Sequence, residues 1–177
     1  MAPLISFSPI VLAPTYNNVA TVATIVDQLL ALDLPVLVVN DGSTDGTAEA
    51  LATFCARIRV VTHPTNQGKA AALTTGFAAA ASAGYTHAVT MDTDGQLDPA
   101  DIPRLLAVAS EWPNALVLGV RDAHKRDYPA RSRLGRWFSN AMVHLECGLS
   151  VSDSQCGLRV YPLSHTLQLN ASAALRI

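Results

Sequence analysis

Asp92-Thr93-Asp94-Gly95-Gln96 places two carboxylates one residue apart, directly after the apolar run Ala88-Val89-Thr90-Met91. If that run is a buried parallel strand, both acids arrive at its carboxyl end, where open α/β sheets bind ligands. Alternating carboxylates suit a hard divalent cation, which completes its oxygen shell with water and substrate phosphates. The expected ligand therefore bears phosphate, as a nucleotide-sugar diphosphate does. The competing reading is a capped turn. Asp98 before Pro99 already has the chemistry of an N-cap and first helical position, which leaves Asp92 and Asp94 for other work.

Three further turns follow apolar runs and should open on the same sheet edge. In Pro14-Thr15-Tyr16-Asn17, the tyrosine suits packing on a base and Asn17 is expected to cap the next helix. Asn40-Asp41-Gly42-Ser43-Thr44-Asp45-Gly46-Thr47 offers a carboxylate that accepts from a base or ribose, with two glycines for close backbone approach; an ordinary turn is the alternative. Asn66-Gln67-Gly68-Lys69 opens a helix, where backbone N–H groups and a lysine favour an anion. It is not a P-loop, because His63 stands where the first glycine belongs. No GxGxxG follows the first strand, which removes the main reason to expect a nicotinamide or flavin.

The elements that must carry these turns are legible from period. Short β-branched runs at 9–13, 35–40, 58–62, 87–91 and 115–119 alternate with helical segments, so the expected fold is α/β: a Rossmann-like, mostly parallel sheet with helices on both faces. Val19, Val22, Ile25, Val26, Leu29 and Leu30 mark one helix face. Segments 47–55, 68–83 and 99–110 have the lengths of the next three crossover helices, each with turn chemistry in front. Beyond Gly119, six of the chain's 12 basic side chains fall between Arg121 and Arg136. Leu134, Trp137, Phe138, Ala141, Met142 and Leu145 then form one apolar helix face, suited to a core or, behind a basic cluster, to a membrane surface.

Composition narrows the classes. At 177 residues, 50% hydrophobic and 15% charged, with a net charge of -2, the chain fits one globular domain and offers no general field for nucleic acid. Cys55, Cys147 and Cys156 lack metal or disulfide spacing, the start has no signal-peptide pattern, and the alanine-rich stretch at 70–83 is too short to span a bilayer. A cytoplasmic protein is expected.

Taken together, PTYN at 14–17, NDGSTDGT at 40–47, NQGKAAALTTGF at 66–77, DTDGQLDP at 92–99 and SDSQCGLR at 152–159 resemble family 2 glycosyltransferases, in particular bacterial relatives of polyprenyl-phosphate sugar synthases. The resemblance covers roughly residues 9–163. It implies a GT-A fold, a nucleotide-diphosphate sugar donor, Mg or Mn, and inversion at the anomeric carbon. By position it implies nucleotide-sugar binding at Pro14, Tyr16, Asn17, Asn40, Asp41, Lys69, Asp92 and Arg121. Metal ligation falls to Asp94 first, then Asp92, with Gln96 as a further contact. Arg131, Arg133 and Arg159 match a region that holds acceptor phosphate or pyrophosphate. Asp153 matches a proposed general base; its alternative is a turn carboxylate paired with Arg159.

The implied reaction moves a sugar to a lipid-linked, polyprenyl-phosphate-like or other hydrophobic acceptor, at the inner face of the membrane with peripheral contact. Two departures bear on it. Asn18 stands for the usual glutamate after PTYN, and Asn40 for the first aspartate of DDGS. Relatives also continue past this chain's end with acceptor-side helices, so residues 1–163 read as the GT-A domain, incomplete on that side, and 164–177 as an atypical tail. A catalytically incomplete nucleotide-sugar-binding module is the second reading.

Overall fold

The computed structural model describes residues 6–120, 153 and 156–174. The basic cluster containing Arg121, Arg131 and Arg133, and the expected helix through Trp137 and Phe138, lie outside the described residues.

Four crossovers build the frame. Strand β1 (Pro9–Thr15), helix α1 (Val22–Leu30), β2 (Val36–Asn40), α2 (Thr47–Ala52), β3 (Arg59–Thr62), α3 (Lys69–Ser82) and β4 (His87–Thr90) follow in order. A 3-10 turn (Pro99–Asp101) leads into α4 (Ile102–Glu111); β5 (Val117–Leu118), β6 (Arg159–Pro162) and α5 (Leu163–Ala174) complete the described elements. The six strands form one sheet in the order β3-β2-β1-β4-β6-β5. Pairings among β1 to β4 are parallel, whereas β6 runs antiparallel between β4 and β5.

The sheet is mixed rather than a plain parallel array, and sequence period did not announce β6. Arg159–Pro162 alternates between half-buried and buried positions over only four residues, too few to separate a strand from a loop by pattern alone. Its direction matters for the site. Because β6 starts where β4 ends, with Arg159 opposite Thr90, residues 156–159 enter the sheet at the edge where the loop after β4 leaves it.

Period two along the strands sorts side chains onto two faces. Val11, Ala13, Val36, Val38, Val89 and Met91 meet α1, α2 and α4, while Ile10, Leu12, Leu37, Val39 and Ala88 meet α3 and α5. Helix α1 buries Val22, Ile25, Val26 and Leu29, each burial contributing roughly 1.5–3 kcal/mol. The alanine-rich α3 lies close on the sheet: a Cβ at Gly76 would approach Leu12 Cδ2 to 2.7 Å. Leu163 and Leu167 of α5 join the same core, so this helix packs on the opposite face from α1. Among the described residues no helix is long and apolar enough to cross a membrane.

Candidate functional site

The strand order reverses between β1 and β4, since β2 follows β1 on one side and β4 lies on the other. At such a switch point the loops leaving the two strands diverge and open a crevice. A cleft of about 290 Å³ lies there. Its walls include Pro14 near the end of β1 and Tyr16 just after it, Asp41 after β2, Lys69 opening α3, and Asp92 and Asp94 after β4.

Thr93 explains how both carboxylates reach the cleft. It is 1% exposed, its hydroxyl donates to Thr15 Oγ1 (2.9 Å) and accepts from Asn18 Nδ2 (2.9 Å), and its carbonyl accepts from Thr21 Oγ1 (2.6 Å). Thr21 is the N-cap residue of α1 yet makes no side-chain cap bond. That forgoes about 1 kcal/mol of helix stability while its hydroxyl holds the loop after β4. Asp94 is exposed, and its Oδ1 accepts from Gln96 N–H (2.9 Å), the bond of a capped turn. Asp98 caps the following turn as expected, accepting from Ala100 N–H (3.0 Å).

Asp92 is held from two sides. Lys69 Nζ lies 2.6 Å from its Oδ1, the side chains being 57% and 27% exposed respectively. On the other side Gly157 admits the carboxylate: a Cβ there would stand 2.7 Å from Asp92 Cγ. Thr90 Oγ1 donates to the Gly157 carbonyl (2.8 Å), fixing the glycine against the end of β4.

Asp41 is 3% exposed and forms the opposite wall. Its Oδ1 accepts from Gln67 N–H (3.0 Å) and from His63 Nδ1–H (2.6 Å), and its Oδ2 from Gly68 N–H (2.8 Å). A carboxylate is thereby set at the N-terminus of α3, where the helix dipole favours negative charge. Burial by itself would raise the Asp41 pKa, but the Gln67 and Gly68 amides and His63 outweigh it and hold the carboxyl below its ordinary value. Asp45 is also lowered, chiefly by the Thr47 hydroxyl; it ties the loops after β1 and β2 together through Val19 N–H (3.0 Å).

Gly42 makes this closure possible. Its φ is +68°, and a Cβ would meet the Asn66 backbone nitrogen at 2.6 Å. Gly42→Ala is expected to destabilise the domain by about 1–3 kcal/mol, since strained backbone and overpacking act together. A denaturant midpoint within error of wild type would contradict that.

Several expected residues fall elsewhere. Asn17 does not cap α1; at φ +52° it accepts from Thr44 N–H (2.8 Å) through Oδ1 and donates its N–H to Ser43 Oγ (3.0 Å), joining two loops. Asn40 is buried and accepts from Ser43 N–H (3.1 Å), so it shapes the turn instead of lining the cleft. Gln96 lines a second cleft, of about 430 Å³, between α1 and the loop at 95–99, because the turn at Asp94 bends the chain away. Arg159 donates from Nε to the Cys156 carbonyl (2.8 Å) and from Nη1 to Tyr161 Oη (3.2 Å), and is not among the residues lining this cleft. Asp153 is 2% exposed.

A family model described as glycosyl transferase family 2 matches residues 10–162. The chain belongs to glycosyl transferase family 2. Among curated relatives, this family 2 domain is 30% identical over 161 residues to an undecaprenyl-phosphate 4-deoxy-4-formamido-L-arabinose transferase of Yersinia enterocolitica, covering 85% of this chain and 47% of that protein. It is 30% identical over 156 residues to an undecaprenyl-phosphate mannosyltransferase of Micrococcus luteus, covering 84% and 63%. The chain thus spans about half to three-fifths of these relatives' lengths.

Solved structures give the same fold. A mycobacterial protein superposes with a TM-score of 0.68 at 22% identity, over 90% of this chain and 54% of that one. S. aureus TarS 1-349 in complex with UDP superposes with a TM-score of 0.63 at 16% identity, over 92% and 49%. The expected GT-A architecture, a mostly parallel sheet with helices on both faces, is therefore established.

Proposed function

We propose that this domain moves a sugar from a nucleoside-diphosphate sugar to a polyprenyl-phosphate-like lipid acceptor, with inversion at the anomeric carbon and with Mg or Mn at Asp92 and Asp94. One observation carries the reading: the switch-point cleft joins a buried, hydrogen-bond-accepting carboxylate, Asp41, to a cation–carboxylate cluster of exposed Lys69 and Asp94 with half-buried Asp92. A nucleotide has a base at one end and a diphosphate at the other, and the cleft is polarised in the same way. The relatives named for undecaprenyl-phosphate support a lipid-phosphate acceptor.

The donor set suits a hard cation. Among the described residues no cluster of three or more His, Cys, Asp or Glu side chains is placed to hold an ion. Two carboxylate oxygens completed by phosphate and water match how Mg is held in nucleotide sites. The Lys69 ammonium beside Asp92 Oδ1 marks that oxygen as a position for positive charge. The metal, when bound, would act as a Lewis acid on the departing diphosphate.

In the proposed reaction, an oxygen of the acceptor phosphate attacks C1 of the sugar. The bond from C1 to the diphosphate oxygen breaks, and its electron pair leaves with the nucleoside diphosphate. Tyr16 and Pro14 pack on the base while Asp41 accepts from it. Lys69 at the start of α3 receives phosphate charge. A phosphate acceptor arrives ionised and needs no general base, so buried Asp153 is assigned to positioning groups and not to proton removal. A lipid acceptor places the work at a membrane surface.

Calorimetric titration of UDP, GDP and their sugar conjugates, each with and without Mn, tests the donor reading. Mn-dependent binding of one nucleotide is expected; no binding to any would overturn it. Sugar-donor hydrolysis without transfer to a polyprenyl phosphate would favour a nucleotide-sugar-binding module.

A further inference from the structure

His63 has no role in the chemistry above, yet it is buried beside the donor cleft with both ring nitrogens engaged. It directly follows β3, its N–H donates to the Asn40 carbonyl (2.9 Å), and its ring bridges the loop after β2 to helix α3. Nδ1 faces Asp41 Oδ1 at 2.6 Å, and Nε2 faces Thr75 Oγ1 at 2.9 Å. An ionised carboxylate only accepts, so Nδ1 carries the proton; in the neutral ring Nε2 then accepts from the Thr75 hydroxyl.

The hydrogen-bond inventory of Asp41 gives this contact a consequence. Two carboxylate oxygens offer about four acceptor positions. Gln67 and His63 occupy Oδ1, and Gly68 takes one position on Oδ2. One acceptor position therefore remains, on Oδ2, and Asp41 lines the cleft. Without the imidazole donor, Oδ1 would also have a vacant position, and rotation about the terminal bond would no longer be opposed by a donor held from a third element.

We propose that His63 is a positioning residue for base recognition: held by Thr75, it fixes the Asp41 carboxylate so that one acceptor site meets the edge of the nucleobase. This rests on the nucleotide reading above. An acceptor-only group discriminates by polarity: a base edge that presents a ring N–H, as uracil and guanine do, can donate to it. Cytosine and adenine present an unprotonated ring nitrogen at the corresponding position and leave two acceptors facing each other. His63 thus acts on which base is accepted, through Asp41 and without touching the ligand.

Side-chain geometry supplies a sharp test. The amide nitrogen of asparagine can stand near the position of an imidazole Nδ1, whereas that of glutamine reaches nearer to Nε2. His63→Ala, His63→Gln and His63→Asn would be compared in the full chain for Mn-dependent affinity toward UDP, GDP, CDP and ADP, and for hydrogen exchange at the Gln67 and Gly68 amides. His63→Ala and His63→Gln are expected to weaken the preferred nucleotide about tenfold, narrow the preference over CDP or ADP, and speed exchange at both amides. His63→Asn should recover affinity, preference and protection.

If His63→Ala and His63→Gln lower the melting temperature while affinities stay within about twofold of wild type, a structural role alone is left and the proposal is overturned. Should the wild-type chain bind none of the nucleotides, the donor reading falls, and base recognition with it. In that event unchanged exchange at Gln67 and Gly68 in His63→Ala would also remove the claim that His63 fixes Asp41.

Discussion

Asp94→Ala is expected to abolish metal-dependent nucleotide binding while leaving the fold intact. The two halves of this expectation have separate grounds. Asp94 is exposed, and its one described bond is to Gln96 N–H in the same turn, so truncation forfeits on the order of 0.5–1.5 kcal/mol. Its carboxylate nevertheless shares the cleft with Asp92, and an ion held by two protein carboxylates loses half of its anionic protein ligands. Mutating even the outer-shell partners of a metal site commonly costs about 10–100-fold in affinity, so loss of a ligand itself is expected to cost about 100-fold or more. Titration of nucleotide in Mn, beside a denaturant melt, measures both quantities. Thr93→Val provides the contrast. Thr93 is buried in the bonds to Thr15 and Asn18, so its loss should lower stability and nucleotide affinity together. An Asp94→Ala protein that binds as tightly as wild type would sink the metal assignment.

The frame was legible because its signals are local and periodic. The 22, 25, 26, 29 spacing gave α1, and Asp98-Pro99 gave the start of the turn before α4. The carboxyl-edge convergence of the loops at 14–17, 40–47, 66–69 and 92–96 followed from the parallel strands that precede them. What escaped depends on partners distant in sequence. Asn17 was expected to cap α1 because asparagine before an amphipathic run is a cap signal; the loop after β2 instead offered it Ser43 and Thr44. His63 and Thr75 carry no motif, and their joint meaning appears only when β3 and α3 bring them to Asp41. One sequence signal was present: a histidine immediately after β3, the strand that pairs with β2.

Asn18 illustrates the same distinction. As a departure from the family pattern it came with no assigned consequence, yet in the fold its amide donates to Thr93 Oγ1 and reaches Thr15 Oγ1 at 3.4 Å. It therefore bears on the loop after β4, 75 residues away in sequence. The substitution is better understood as part of a matched hydroxyl–amide cluster than as an isolated change.

Lys69→Met should move two affinities in opposite directions. Lys69 Nζ lies 2.6 Å from Asp92 Oδ1, so a divalent cation bound as proposed would compete with the ammonium for one oxygen. An ion pair as open to solvent as this one is worth only about 0–1 kcal/mol, and its release costs the fold little. Removing the ammonium should therefore raise the affinity of the free protein for Mn severalfold at most. The nucleotide experiences the opposite change. With Lys69 gone, the N-terminus of α3 keeps its backbone dipole but loses the formal charge beside the diphosphate. UDP or GDP affinity is expected to fall about tenfold or more, with the loss growing as ionic strength is lowered. Lys69→Arg should retain most of the binding, because charge is kept although reach and geometry differ. Mn titration monitored by electron paramagnetic resonance separates the first effect from nucleotide calorimetry, which reads the second. If Lys69→Met left both affinities unchanged, Lys69 would be only a surface counter-ion to Asp92, and phosphate charge would have to be met elsewhere.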